Sequence, residues 1–192
     1  MRLLLRTVAA GALLAAPLAP LAAQAPAAAA PAAAAGIRQD LVAQLEDAEK
    51  KLIALAEATP QDKYGWRPAA GVRSTSEVFM HMAGANYMIP PIAGAARAAG
   101  LTLTPDSEKT VTDKAAVVKH LRESFAYAKQ AVLGVADDQL SAPVTLFGRP
   151  STKRGVLVLM ATHAHEHLGQ SIAYARTNGI VPPWSGAGGG ND

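Results

Sequence analysis

The stretch His163-Ala164-His165-Glu166-His167-Leu168-Gly169-Gln170 sits inside an apolar run from Gly155 to Arg176. A helix of 3.6 residues per turn places His163 and His167 one above the other on one face, close enough to bind a single metal ion through imidazole nitrogens. Extended both ways, the same stripe collects Val156, Leu159 and Met160 before the pair and Gln170 and Tyr174 after it. The two histidines therefore lie on the face that should be buried, whereas His165 points the other way. One histidine on an apolar face is more often a satisfied core residue than a ligand. Burying two polar rings side by side is costly unless something binds both.

Working outward, the chain reads as an all-α four-helix bundle. The first helix spans about Ile37 to Ala58, with Ile37, Leu41, Leu45, Ala48, Leu52 and Leu55 spaced by threes and fours. Thr59-Pro60 ends it, and an irregular connection follows to Arg73. Ser74-Thr75-Ser76-Glu77 has the spacing of a capping box and opens the second helix. Pro90-Pro91 removes two backbone donors and must kink or stop that helix, with Ala99 as the furthest point to which it resumes and Gly100 as its C-cap. Leu101 to Thr112 is long enough to cross the bundle end to end, so helices two and three can run parallel. Thr112 is the expected cap of the third helix, whose stripe is Val117, Leu121, Phe125, Ala128 and Val132. Asp137 to Arg149 is loop-like, with a brief strand over Val144 to Phe147. The fourth helix starts near Ser151 or Thr152 and stops at Asn178-Gly179.

An i, i+4 pair holds a metal weakly, and catalytic zinc sites usually have three protein ligands plus water. His81, on the second-helix face shared with Glu77, Val78, Ala85 and Met88, is the best third candidate. His120 flanks its stripe as a rim residue. If His81, His163 and His167 converge on zinc, bonds of about 2.0 to 2.1 Å put their nitrogens about 3 to 4 Å apart. Glu77 and Gln170 lie near the ligand faces and could orient the rings, with helix capping and a polar interhelical contact as their plain alternatives. No catalytic residue is assigned, and His165-Glu166-His167 does not make the H-E-x-x-H of a zincin protease.

His81 within Val78-Phe79-Met80-His81-Met82-Ala83, the Tyr64-Gly65-Trp66-Arg67-Pro68 segment before it, and His163-x-x-x-His167-Leu168-Gly169-Gln170 followed by Tyr174-Ala175-Arg176 and Gly179 resemble the DinB superfamily of metal-dependent four-helix proteins. The resemblance covers about Ile37 to Trp184. It implies a long crossover between helices two and three, and a divalent metal, zinc or nickel, on His81, His163 and His167. Relatives of this kind include thiol-dependent transferases and isomerases. Two function classes stand open: a metal-dependent hydrolase or thiol transferase acting on a small molecule, and a non-catalytic metal- or ligand-binding bundle. Exposed apolar helix surface leaves room for a homodimer.

The first 36 of the 192 residues contain 17 alanines and no acidic residue. Of 18 lysines and arginines, Arg2 and Arg6 lie in that head, leaving 16 basic against 15 acidic side chains. A body so nearly neutral gives no case for nucleic acid. Without cysteine there are no disulfides, thiolate ligands or cysteine nucleophile, so a metal must be held by nitrogen and oxygen. Residues 1–23 read as a signal peptide, with charge at Arg2 and Arg6, an apolar core from Val8 to Leu18 and small residues Leu21-Ala22-Ala23 before Gln24. Pro17 and Pro20 interrupt a segment short of the roughly 20 apolar residues a membrane span needs. Residues 24–36 read as an Ala/Pro-rich linker, 37–184 as the bundle and 185–192 as a flexible glycine-rich tail. The protein is therefore expected in the periplasm or outside the cell. N-terminal sequencing of the native protein should begin at Gln24, and a retained Met1 would refute cleavage.

Overall fold

The computed structural model describes residues 36–186. The leader, the linker up to residue 35 and the tail from residue 187 lie outside the described residues. Five α-helices, α1 (Ile37–Ala58), α2 (Thr75–Met88), α3 (Ser107–Thr110), α4 (Lys114–Gly134) and α5 (Lys153–Thr177), join a hairpin of β1 (Pro143–Leu146) and β2 (Arg149–Thr152). Because α3 is a single turn, the architecture is the expected bundle of four long helices.

On α1, Leu41, Leu45, Ala48, Leu52 and Leu55 are all buried, as their spacing requires, while Ile37 at its first turn stays 38% exposed. Leu41, Leu45, Ala48 and Leu52 meet Val117, Leu121, Phe125, Ala128 and Val132 of α4 and Val156, Leu157 and Met160 of α5 in one core. Each leucine, valine, phenylalanine or methionine among them removed from water contributes roughly 1.5–3 kcal/mol. Polar pairs fix the directions. Arg38 at the start of α1 reaches the Leu133 carbonyl and Asp137 beyond the end of α4, whereas Glu57 at the end of α1 pairs with Arg122 and its carbonyl accepts from Lys114. Thus α1 and α4 are antiparallel. Since α2 also begins beside the end of α1, where Ser76 N–H donates to the carbonyl of Tyr64 and Tyr64 O–H to that of Ala56, α2 and α4 run parallel. The chain from Gly94 to Asp113 makes the long crossover this demands.

Ser74 and Glu77 form the expected capping box: Glu77 N–H donates to Ser74 Oγ at 3.3 Å and Ser74 N–H to Glu77 Oε2 at 2.7 Å. At the other end of α2 the prolines take effect. The α-helix stops at Met88, a 3-10 turn covers Pro90–Ala93, and Gly94 at φ 94° closes it. The helix does not resume to Ala99. Gly94, free to adopt a left-handed conformation, does the capping expected of Gly100. Asp113 rather than Thr112 caps α4, its carboxylate accepting from Ala116 N–H at 2.9 Å; a carboxylate reaches these amides better than a β-branched hydroxyl. The brief strand pairs as β1 with β2, but Phe147 lies in the turn. Phe147 and Gly148, at φ 48° and 79°, make the two-residue connection with both φ positive that matches strand twist. Thr152 caps α5, and Asn178 with Gly179 at φ 73° ends it as expected.

Tyr64 is fully buried, and its hydroxyl, 2.7 Å from the Ala56 carbonyl, pins the α1–α2 connection against the bundle. Tyr64→Phe strands that carbonyl and should lower stability by about 1 kcal/mol. Thermal denaturation reads this as a drop of several degrees, and an unchanged midpoint would show the bond to be idle.

Candidate metal centre

Three imidazoles from two helices meet between α2 and α5. The ring centroids of His163 and His167 lie 4.4 Å apart, those of His81 and His167 4.8 Å, and those of His81 and His163 5.3 Å, all edge-to-face. One nitrogen from each ring falls within 4.8 Å of the other two, a looser spacing than the 3 to 4 Å edge of a loaded zinc site. His167 is 6% exposed, and His81 and His163 are half-buried. His165 turns toward α1, its Nδ1 on the Ala161 carbonyl at 2.9 Å and its Nε2 3.9 Å from Asp47. His120 stands apart on α4, 4.0 Å from Glu123. The structure thus brings His81, His163 and His167 together and leaves His120 and His165 outside the group.

Donor chemistry decides whether such a group suits a cation. Burial first, then the neighbouring His167 and His81, pushes His163 down to about 4, so it is neutral at physiological pH. Burial also lowers His167, against the bond from Gln170. Neutral imidazole is the ligating form. Rings packed this closely repel one another as cations and cooperate as lone-pair donors, so the three residues fit a divalent metal.

Each of two rings is held from behind. Nδ1 of His81 lies 2.9 Å from Glu108 Oε2, and Arg73 Nε donates to Glu108 Oε1 at 2.7 Å. Nδ1 of His167 lies 2.8 Å from Gln170 Oε1; Gln170 Nε2 donates to Tyr174 Oη at 3.1 Å, and Tyr174 O–H to the Arg73 carbonyl at 3.2 Å. The circuit returns to Arg73. Burial tends to raise Glu108, but the bonds from Arg73 and His81 outweigh it and hold its carboxyl below the usual range. Gln170, one of the two candidate positions for such a contact, lies behind His167. Glu77 does not contact a histidine: it caps α2 and pairs with Arg67 at 3.2 Å. Its expected place beside His81 belongs to Glu108, which lies in the crossover between Leu101 and Thr112. No periodicity marks a residue on a one-turn helix. Only the clustering of Glu108 with Arg73 in space exposes it.

Glu108 also lines two clefts. One, of about 410 Å³, is lined by His81, Met80, Tyr87, Met88 and Leu103. The other, of about 620 Å³, is lined by Arg67, Arg73, Glu77, Lys109 and Gln170. A larger cleft of about 730 Å³ along α1 and α4 touches none of the clustered histidines.

Fold and site define an all-α bundle with a three-histidine cluster able to hold a metal ion. The chain belongs to the DinB superfamily, whose family model matches residues 44–171. Among solved structures it is similar to a DinB-like protein from Bacillus cereus, with 21% identity and a TM-score of 0.62 over 76% of this chain and 92% of that one. A DinB-like protein from Bacillus subtilis matches with 23% identity and a TM-score of 0.58 over 74% of this chain and 93% of that one. No curated protein matches.

The His163 shift has a measurable sign. An unfolded chain takes up this proton near 6.5, whereas the folded metal-free protein waits until about 4. Stability present above pH 6.5 should therefore fall progressively as pH drops toward 4. NMR titration of metal-free protein should show the His163 ring unprotonated down to about that pH; a midpoint near 6.5 would contradict its burial.

Proposed function

We propose that this chain is an exported, divalent-metal-dependent DinB-family enzyme that activates water or a thiol at a centre formed by His81, His163 and His167, with zinc or nickel as the ion. The observation that carries the reading is the gathering of three imidazoles, two of them shifted toward the neutral form, from helices α2 and α5. Held there, the ion supplies Lewis acidity, which yields a nucleophile from water or a thiol at neutral pH. Hydrolysis and thiol transfer are the two reaction classes this chemistry admits.

The protein's own side chains supply the rest. His167 is fixed by Gln170, and His81 by Glu108. Among the described residues no fourth histidine or carboxylate joins the group, which is the ligand count of catalytic sites that keep an open position, against four in closed structural sites. A small substrate would approach by the cleft beside His81, where Met80, Met88 and Leu103 offer apolar surface and Tyr87 a hydroxyl. Export rests on the order of charge, apolar core and small residues in the leader. Among the described residues no helix is long and apolar enough to cross a membrane.

Metal analysis of the purified protein tests the centre directly. Changing His81, His163 or His167 to alanine should each remove the bound metal and abolish the gain in melting temperature on adding zinc or nickel, a gain worth about 2.7 kcal/mol at 100 times Kd. His120→Ala and His165→Ala should leave both intact. A wild-type protein that carries no metal and gains no stability from either ion would end the metalloprotein reading.

A further inference from the structure

We infer that Arg73 is a positioning residue which, through its two ends, sets the proton position on both His81 and His167 and so aims the Nε2 lone pair of each at the shared centre. This deepens the proposed function and rests on it for the ion alone, since proton position is a property of the metal-free protein.

The inference follows from which atoms are able to donate. The Arg73 carbonyl can only accept, so Tyr174 O–H donates to it at 3.2 Å. With its proton committed, the Tyr174 oxygen accepts from Gln170, which must present Nε2–H at 3.1 Å. That fixes the amide and turns Gln170 Oε1 toward His167, 2.8 Å from Nδ1. An amide oxygen only accepts, so Nδ1 of His167 carries the hydrogen, and the lone pair of the neutral ring is left on Nε2. The other arm starts from the Arg73 guanidinium, which only donates. It takes Glu108 Oε1 at 2.7 Å, and Oε2, 2.9 Å from His81, accepts from Nδ1–H. His81 therefore also keeps its lone pair on Nε2. Among the described residues His163 has no such arm: its Nδ1 is 3.9 Å from Glu166, beyond hydrogen-bond range.

Glu108→Gln separates this idea from a merely structural role. Arg73 would claim the amide oxygen of the new side chain and leave its NH2 facing His81, so Nδ1 must accept and the hydrogen moves to Nε2. The isosteric change should thus invert His81 while leaving His167 alone. Adding Arg73→Ala to Glu108→Gln frees the amide to turn over and should restore Nδ1–H on His81. Tyr174→Phe should relax His167 only.

Long-range proton–nitrogen NMR of 15N-labelled, metal-free mature protein reads each ring directly, and competition titration with zinc reads the consequence. Glu108→Gln should weaken zinc about 10- to 100-fold, the usual effect of losing a partner behind a ligating histidine, and the double variant should recover part of that loss. Wild-type protein with Nε2–H on His81 or His167, or an unchanged His81 in Glu108→Gln, overturns the inference. A wild type that shows the expected proton positions yet binds neither zinc nor nickel upholds the positioning and overturns the metal reading instead.

Discussion

A carboxylate clasped between a guanidinium and an imidazole ties together parts of the chain that are far apart in sequence. Glu108 sits on the crossover, Arg73 just ahead of the α2 cap, and His81 nearly two turns into α2. Side chains of Arg73 and Glu108 are 41% and 27% exposed, so the pair is partly screened and its Coulombic gain is modest. Its weight lies in geometry. Without Glu108 a half-buried imidazole would face a lost partner, and a buried polar group left unmet costs about 1–3 kcal/mol. One residue thus anchors the crossover and orients a ring at the same time.

The rest of the fold serves to hold Arg73 in register. Thr75 N–H donates to the Trp66 carbonyl at 2.9 Å and Ser76 N–H to that of Tyr64 at 2.9 Å, so the α1–α2 connection is laced to the first turn of α2. Trp66 stands edge-on to Tyr174 with ring centroids 5.3 Å apart. The same tyrosine carries the hydroxyl that reaches Arg73. Apolar packing and the polar circuit therefore locate the same residues, and a shift of the connection would disturb both. Sites borne on helices and braced in this way keep their geometry better than sites on loops.

What could be read in the sequence follows from what is periodic in it. The four long helices, the shared face of His163 and His167, the inward face of His81, and the turn of His165 away from that cluster all come from the 3.6-residue repeat, which is local and survives folding unchanged. Caps were legible where the chemistry is short-range: Ser74 with Glu77, Thr152, and Asn178 with Gly179. Errors fell where competing local signals meet, as at Thr112 and Asp113, or where a helix stretched past two prolines to Ala99. Glu108 and Arg73 were illegible for a different reason. Their partnership spans 35 residues and depends on where the crossover lands, which no spacing encodes. The Gln170 contact was within reach because Gln170 is three residues from His167 on one helix.

The asymmetry among the three histidines bears on how such a centre would take up an ion. A spacing of up to 4.8 Å between ring nitrogens must close to the edge of a site with bonds of about 2.0 to 2.1 Å. Two rings are poorly suited to that adjustment, because turning His81 or His167 breaks a bond to Glu108 or Gln170. His163, with its nearest acid 3.9 Å away on a side chain 75% exposed, can turn at little expense. Burial and its neighbours also push His163 down to about 4, so its lone pair is free at neutral pH. Rigid partners on His81 and His167 and freedom on His163 divide preorganisation from adaptability, and on α5 that division falls between two rings only one turn apart.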